Sequence, residues 1–231
     1  MTEPMRRRRA LMAQGSGSPI VPVSTLTAGD TVKVTESGSL VDFVYIGINN
    51  DGNALLLRGT NLTTQKQFNS TAGKPEYSGC TIDTWLKNTV KGYYTGLTSY
   101  FRNSNITYAT YNDAFAETIN TIQRDIYIPS AFEVTGSGNE GGTEFLPALK
   151  IFKNTTAANT ARATGSVQWL RTEYSASSYP NRVRVIAANG SCTASVDFTQ
   201  SSATNPRVRP VLSIDANTPI VNDGGNIIVG G

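Results

Sequence analysis

The feature that most constrains the fold is a pair of apolar runs joined by a tight turn signal. Residues 40–48 form the most apolar run of the chain, and residues 54–57 form a second one. Asn49-Asn50-Asp51-Gly52 lies between them, and an Asp-Gly pair is typical of a hairpin turn because both residues tolerate positive φ. With a shorter alternating run at 31–34, the pattern predicts an antiparallel β-meander of three strands.

Helical spacing appears next, in the apolar residues Ile82, Trp85, Leu86 and Val90. Thr81 or Asp83 is available as the N-cap of this helix, and Trp85 is interpreted as a packing residue. Further helical turns are predicted at 97–101, 114–122 and 144–152, and further strands at 126–128, 167–171, 182–186, 192–198 and 208–214. Glu133 and the glycine-rich residues 136–142 are predicted to form a turn and an exposed loop. The whole predicts an α+β fold, an antiparallel sheet with a few peripheral helices.

The side-chain inventory excludes much ordinary catalysis. Charged residues are only 16% of the chain, and Thr, Ser and Asn make up 68 of its 231 residues. There is no histidine, which excludes a Ser-His-Asp site, a Cys-His site and a zinc site built on imidazole. Cys80 and Cys192 cannot make a four-cysteine metal site; they are two buried thiols or one long-range disulfide. We therefore expect no enzyme activity, no cofactor and no metal.

The net charge of +3 is confined to one end of the chain. Arg6, Arg7, Arg8 and Arg9 supply it, and residues 10–231 carry 16 basic and 16 acidic groups. A domain without net charge is poorly suited to nucleic acid, because that binding depends on phosphate neutralisation. Residues 1–24 are interpreted as a basic flexible arm, either a solvated tail or an arm that docks on acidic groups of a larger assembly.

The other end of the chain carries a second hairpin signal. Two apolar runs flank Asn222-Asp223-Gly224-Gly225, so residues 217–231 are interpreted as a C-terminal tail, a hairpin or a strand donated to a neighbour. No apolar run approaches the ~18 residues of a membrane span, and we expect none.

Motifs in the last third of the chain resemble one family. Trp169-Leu170-Arg171, Asn189-Gly190-Ser191 and Val208-Arg209-Pro210-Val211-Leu212 are similar to the pattern of a C-type-lectin-like domain found in uncharacterised bacterial and phage proteins. Its upstream landmarks resemble residues 28–32, 54–57, 84–86 and 129–134, so the resemblance covers residues 25–216. The chain departs from the pattern at Gln168, at Thr172-Glu173 and at Arg207.

The resemblance implies a ligand surface on the loops around the last strands. Tyrosine, serine and asparagine with occasional arginine are typical of adaptable binding loops. The candidate ligand-binding residues are Glu173, Tyr174, Ser175, Ser178, Tyr179, Asn181, Arg182, Ser191, Thr193 and Asp197. Structural roles are expected for Trp85, Trp169, Arg171, Arg209 and Pro210, because a Trp N–H, an Arg donor fork and a Pro at a strand end each suit a fixed framework position.

From the resemblance we expect a phage virion surface protein that binds a host-cell surface glycan or protein. Its arm, and possibly its C-terminal tail, would attach it to other virion proteins, and we expect a homo-oligomer made in the host cytoplasm. Two alternatives are open, a structural head-decoration or tail accessory protein and a bacterial surface binding module. The calcium-ligand motifs of sugar-binding relatives are absent from the sequence.

Overall fold

The computed structural model describes residues 20–70, 76–111, 117–135, 162–174, 182–192, 194–197 and 206–230. Thirteen strands lie in these residues: β1 Val21–Pro22, β2 Thr31–Glu36, β3 Ser39–Ile48, β4 Asn53–Arg58, β5 Ser104–Tyr111, β6 Glu117–Arg124, β7 Ile126–Tyr127, β8 Gln168–Glu173, β9 Arg182–Ile186, β10 Ala194–Asp197, β11 Val211–Asp215, β12 Pro219–Asp223 and β13 Asn226–Val229. The helices are α1 Thr81–Asn88 and α2 Ala131–Thr135, with 3-10 turns at Val23–Thr25, Val90–Tyr93 and Thr95–Leu97.

The strands form one large sheet and two small ones. The large sheet has eight strands in the order β1-β12-β13-β2-β3-β4-β11-β7. Its neighbours are antiparallel except for β13 and β2, which run parallel with Ile228 opposite Lys33. A second sheet has the order β10-β9-β8, and β5 and β6 form a hairpin of their own. The described chain is thus mostly β-structure around a mixed sheet.

This architecture corrects the predicted fold class. The α+β prediction, an antiparallel sheet with peripheral helices, is wrong, because strands dominate, the large sheet is mixed and only two α-helices occur in the described ranges. The clearest local error is the helix predicted at 114–122. The structure describes residues 117–122 of this segment, and they belong to β6, which pairs with β5 so that Ser104 lies opposite Arg124 and Tyr111 lies opposite Glu117. The β-branched residues of Glu117–Arg124 fit a pleated strand better than a helix. The predicted helix at 144–152 lies outside the described residues.

Several local predictions are confirmed. The meander forms as β2, β3 and β4, with β3 paired to both neighbours and a register shift between Tyr45 and Gly47. The strands predicted at 126–128, 167–171 and 182–186 also form. Helix α1 forms at the predicted place, but its N-cap is Cys80, whose Sγ accepts from the Asp83 N–H at 3.4 Å, and not Thr81 or Asp83.

The core lies between the sheets and α1. Trp169 on β8 is buried, packs 5.6 Å from the ring of Phe68 and donates its indole N–H to the Lys66 carbonyl at 2.9 Å. Phe43 on β3 meets Tyr94 edge-to-face at 5.9 Å. One contiguous apolar cluster therefore joins the large sheet to the three-stranded one.

The C-terminal residues are part of the large sheet. β12 and β13 form a hairpin that lies between β1 and β2. Gly224 and Gly225 connect these strands with φ of 55° and 91°, the left-handed conformations that a tight hairpin turn requires and that glycine adopts without strain. None of the helices in the described residues is long and apolar enough to cross a membrane.

Candidate functional site

Strand β8 is held in place by one buried arginine. Arg171 donates to both carboxylate oxygens of Glu133 at 2.6 and 2.8 Å, and to the carbonyls of Thr107 at 2.6 Å and Ile128 at 2.9 Å. Its guanidinium lies 5.4 Å from the ring centroid of Tyr127. A buried charge is tolerated when it is paired and its donors are satisfied, so Arg171 ties β8 to α2, β5 and the end of β7.

Glu133 corrects the prediction of a turn and an exposed loop at this position. It lies on α2 and is only 1% exposed. Its Oε2 accepts the Ser130 N–H at 2.8 Å, and its own N–H donates to Ser130 Oγ at 3.1 Å. This reciprocal pair is a capping box, and the Ser130-x-x-Glu133 spacing that signals it is visible in the sequence.

Arg209 and Pro210 lie beside β4, just before β11. Arg209 is buried and donates to the carbonyls of Arg58 at 2.6 Å and Gly59 at 3.2 Å. Burial, with the neighbouring Arg58 charge, lowers the pKa of Arg209 to about 10. The Pro210 carbonyl accepts the Arg58 N–H at 3.0 Å, and β11 begins at Val211. These two residues therefore lie in the framework that joins β4 to β11.

Trp85 is half-buried on α1 and packs against the core. The Lys66 ammonium group lies 5.3 Å from its ring centroid, so its outer face is covered by a cation.

The structure describes part of the predicted ligand surface. Tyr174, Arg182 and Ser191 are half-buried and lie on or beside β8 and β9. Glu173 differs from these three, because it is only 6% exposed. Asp197 lies on β10. Six predicted residues and segments lie outside the described residues: Ser175, Ser178, Tyr179, Asn181, Thr193 and the arm Arg6, Arg7, Arg8 and Arg9.

Tyr174, Arg182 and Arg184 form a compact group that we call the β9 platform. Val183 and Val185 are buried, so the alternate residues Arg182 and Arg184 project from the other face of β9 and are half-buried. The Arg184 guanidinium lies 5.1 Å from the ring centroid of Tyr174, and the Tyr174 N–H donates to the Arg182 carbonyl at 2.9 Å. Cation–π contact of this kind fixes an aromatic ring while leaving part of it accessible.

Arg184 belongs to the platform but is not among the candidate residues predicted from the sequence. The signal was available in Arg182-Val183-Arg184-Val185, where period-two alternation places both arginines on one face.

The two cysteines are free thiols and not a disulfide. Burial raises the pKa of Cys80 to about 12, and burial also raises the pKa of Cys192 above its ordinary value. Both are therefore protonated at neutral pH and poor nucleophiles. Across the part of the chain that is described, no group of three or more Cys, Asp or Glu side chains is arranged to hold a metal ion.

The geometry defines a mostly β domain in which a rigid framework carries an aromatic and cationic surface on β8 and β9. A family model described as a domain of unknown function (DUF6273) matches residues 51–216, which is more than half of the chain. The chain belongs to this family. No curated protein and no solved structure matches the chain.

Proposed function

We propose that this chain is a phage virion surface protein that binds a host-cell surface glycan or protein through the β9 platform. The observation that carries the proposal is the Arg184–Tyr174 contact at 5.1 Å. It presents a ring held by a cation beside a second arginine, a combination suited to partners with acidic groups and flat apolar faces.

Rigid support for this surface favours binding. Val183 and Val185 anchor β9 in the core, and Arg171 with its four acceptors anchors the neighbouring β8. Preorganisation lowers the entropy cost of association, so a contact residue on such a frame contributes more affinity than one on a loose loop.

The attachment to a particle is proposed from the sequence. Four consecutive arginines at positions 6–9 can pair with acidic groups of other virion proteins, while residues 10–231 have no net charge. The motifs at 169–171, 189–191 and 208–212 resemble phage and bacterial proteins, which supports the virion setting.

The test is binding of the fluorescently labelled full-length protein to whole cells of a panel of bacterial strains. We expect saturable binding to at least one strain, and we expect Tyr174→Ala to weaken it by at least about tenfold, which is 1.4 kcal/mol. Arg184→Met should weaken it in the same direction, because it removes the cation that holds the ring. Binding should survive EDTA.

Tyr93→Ala is the matched control, since Tyr93 is also a half-buried tyrosine and lies away from β8 and β9. All variants are compared at a temperature where circular dichroism shows them folded. Equal binding of wild type and Tyr174→Ala would place the site elsewhere. No binding to any strain would favour a decoration or tail accessory protein, and loss in EDTA would point to a metal-dependent lectin.

A further inference from the structure

A concave site lies apart from the β9 platform. It is a cleft of about 200 Å³ between the end of α1, the start of β5 and the end of β6. Its lining residues are Lys87, Asn88, Lys91, Asn103, Gln123, Arg124 and Asp125. None of them belongs to the platform, and none is among the candidate residues predicted from the sequence.

Two of its three cations are already paired. Arg124 donates to Asp83 Oδ1 at 2.6 Å and to Oδ2 at 2.7 Å, and this hydrogen bonding raises the pKa of Arg124. Lys91 pairs with Asp125, and its ammonium lies 5.0 Å from the Phe101 ring centroid. Lys87 is exposed and makes no ion pair with any described residue. The cleft therefore offers one uncommitted positive charge.

The rest of the lining suits hydroxyl groups. Asn88, Asn103 and Gln123 are exposed, and each side-chain amide offers two donors and an acceptor. Among the described residues, the Gln123 amide makes one hydrogen bond, a long one of 3.5 Å to Asn105 Oδ1. Asp125 adds a carboxylate, which accepts from hydroxyls and repels a multiply charged anion.

From this arrangement we propose that the cleft binds a saccharide unit carrying a single carboxylate. Lys87 pairs with the carboxylate, and the three amides bind the ring hydroxyls. The volume is below the ~300–1,000 Å³ of pockets for drug-sized ligands, so it suits one sugar ring. Lys87 and Asn88 end α1, and the negative end of a helix dipole disfavours a dianion such as phosphate more than it disfavours a singly charged carboxylate.

The experiment is a ¹H–¹⁵N NMR titration of the full-length protein with glucuronate, with glucose and with inorganic phosphate. We expect glucuronate to shift the side-chain amide signals of Asn88, Asn103 and Gln123 and to bind about fivefold more tightly than glucose, the order expected for one partly exposed ion pair. The preference should shrink at high salt, because exposed ion pairs are screened.

Two variants sharpen the test. Lys87→Met keeps a good helix former at this position. The variant should bind glucuronate only as tightly as glucose, and its affinity for glucose should equal that of the wild type. Lys33→Met removes one positive charge from β2, away from the cleft, and should change neither affinity. Neither variant touches the platform, so the outcome is independent of the proposed function.

Three results would overturn the proposal. The first is equal binding of glucuronate and glucose by the wild type, or no shift with either. The second is an unchanged preference in Lys87→Met. The third is phosphate that binds as tightly as glucuronate, which would make the cleft a general anion site.

Discussion

At the scale of single residues, two of the buried arginines, Arg171 and Arg58, are each matched by a carboxylate that accepts two hydrogen bonds. Arg171 pairs with Glu133, and Arg58 pairs with Glu36 at 2.8 and 3.0 Å. The Tyr94 hydroxyl also donates a hydrogen bond to Glu36 Oε2 at 2.8 Å. Two parallel N–H···O bonds fix both distance and orientation, so these pairs set how neighbouring elements meet.

We expect Glu133→Gln to destabilise the protein by about 3–5 kcal/mol, because it leaves the Arg171 charge buried without its counterion. Glutamine still fits the capping box with Ser130, so the change keeps the cap while it removes the charge and one of the two acceptors of Arg171. Urea unfolding followed by circular dichroism measures the loss.

Lys33→Met is the control, since it breaks the exposed Lys33–Asp42 pair and should cost less than about 1 kcal/mol. If Glu133→Gln lowered the free energy of unfolding as little as the control does, Arg171 would be satisfied by its carbonyl acceptors alone.

At the scale of elements, three strands of the large sheet lie inside the residues matched by the family model and five lie outside them. β4, β7 and β11 lie within residues 51–216, whereas β1, β2, β3, β12 and β13 lie outside it. The five outside strands are contiguous in the sheet, and β3 covers the edge of β4. Segments from both sides of the matched region therefore complete one sheet, and β4 is a central strand because of them.

The C-terminal hairpin should contribute directly to global stability. Ile220 on β12 is 1% exposed, so we expect Ile220→Ala to cost about 2–5 kcal/mol through lost burial and a cavity. Ile20→Ala is the matched control, because Ile20 is 69% exposed and its truncation should change stability by no more than about 0.5 kcal/mol. Thermal and urea unfolding of both variants measure the difference. Equal, small effects would show that the hairpin detaches without unfolding the rest.

At the scale of the whole molecule, buried tyrosines determine how stability depends on pH. Burial raises the pKa of Tyr45, Tyr77, Tyr94 and Tyr127 above the ordinary value, and burial with the Glu76 hydrogen bond raises that of Tyr108 to about 12. The chain has no histidine to titrate near neutrality.

We expect stability to be nearly constant between pH 6 and 8 and to fall above about pH 10. Above that pH the unfolded tyrosines ionise while the folded ones keep their protons, so the folded state binds more protons and loses stability as pH rises. Urea midpoints across this range, with tyrosinate absorbance, measure the effect. Tyr127→Phe should make the decrease in stability above about pH 10 smaller than in the wild type. A steep change near pH 6.5, or none above pH 10, would contradict this account.

Local pattern predicted those elements whose stabilising contacts are close in sequence. The β2–β3–β4 meander and α1 could be predicted because alternation, turn residues and helical spacing are local signals. The error at Glu117–Arg124 arose because a short polar segment with scattered apolar residues fits both the helical and the strand periodicity. Pairing with Ser104–Tyr111 decides for the strand, and that partner is specified by contact and not by the segment itself.

The candidate sites show the same division. The sequence by itself determined that the chain lacks histidine, that its charge lies at residues 6–9 and that Arg182 and Arg184 share a strand face. Only the tertiary structure decided that Glu133 neutralises Arg171, that Glu173 is buried and that Arg184 covers Tyr174. It also decided that Lys87 lies beside Asn103 and Gln123 and has no ion pair among the described residues. Composition and periodicity are properties of neighbours in the chain, whereas pairing, burial and charge compensation depend on distances between segments that only folding brings together.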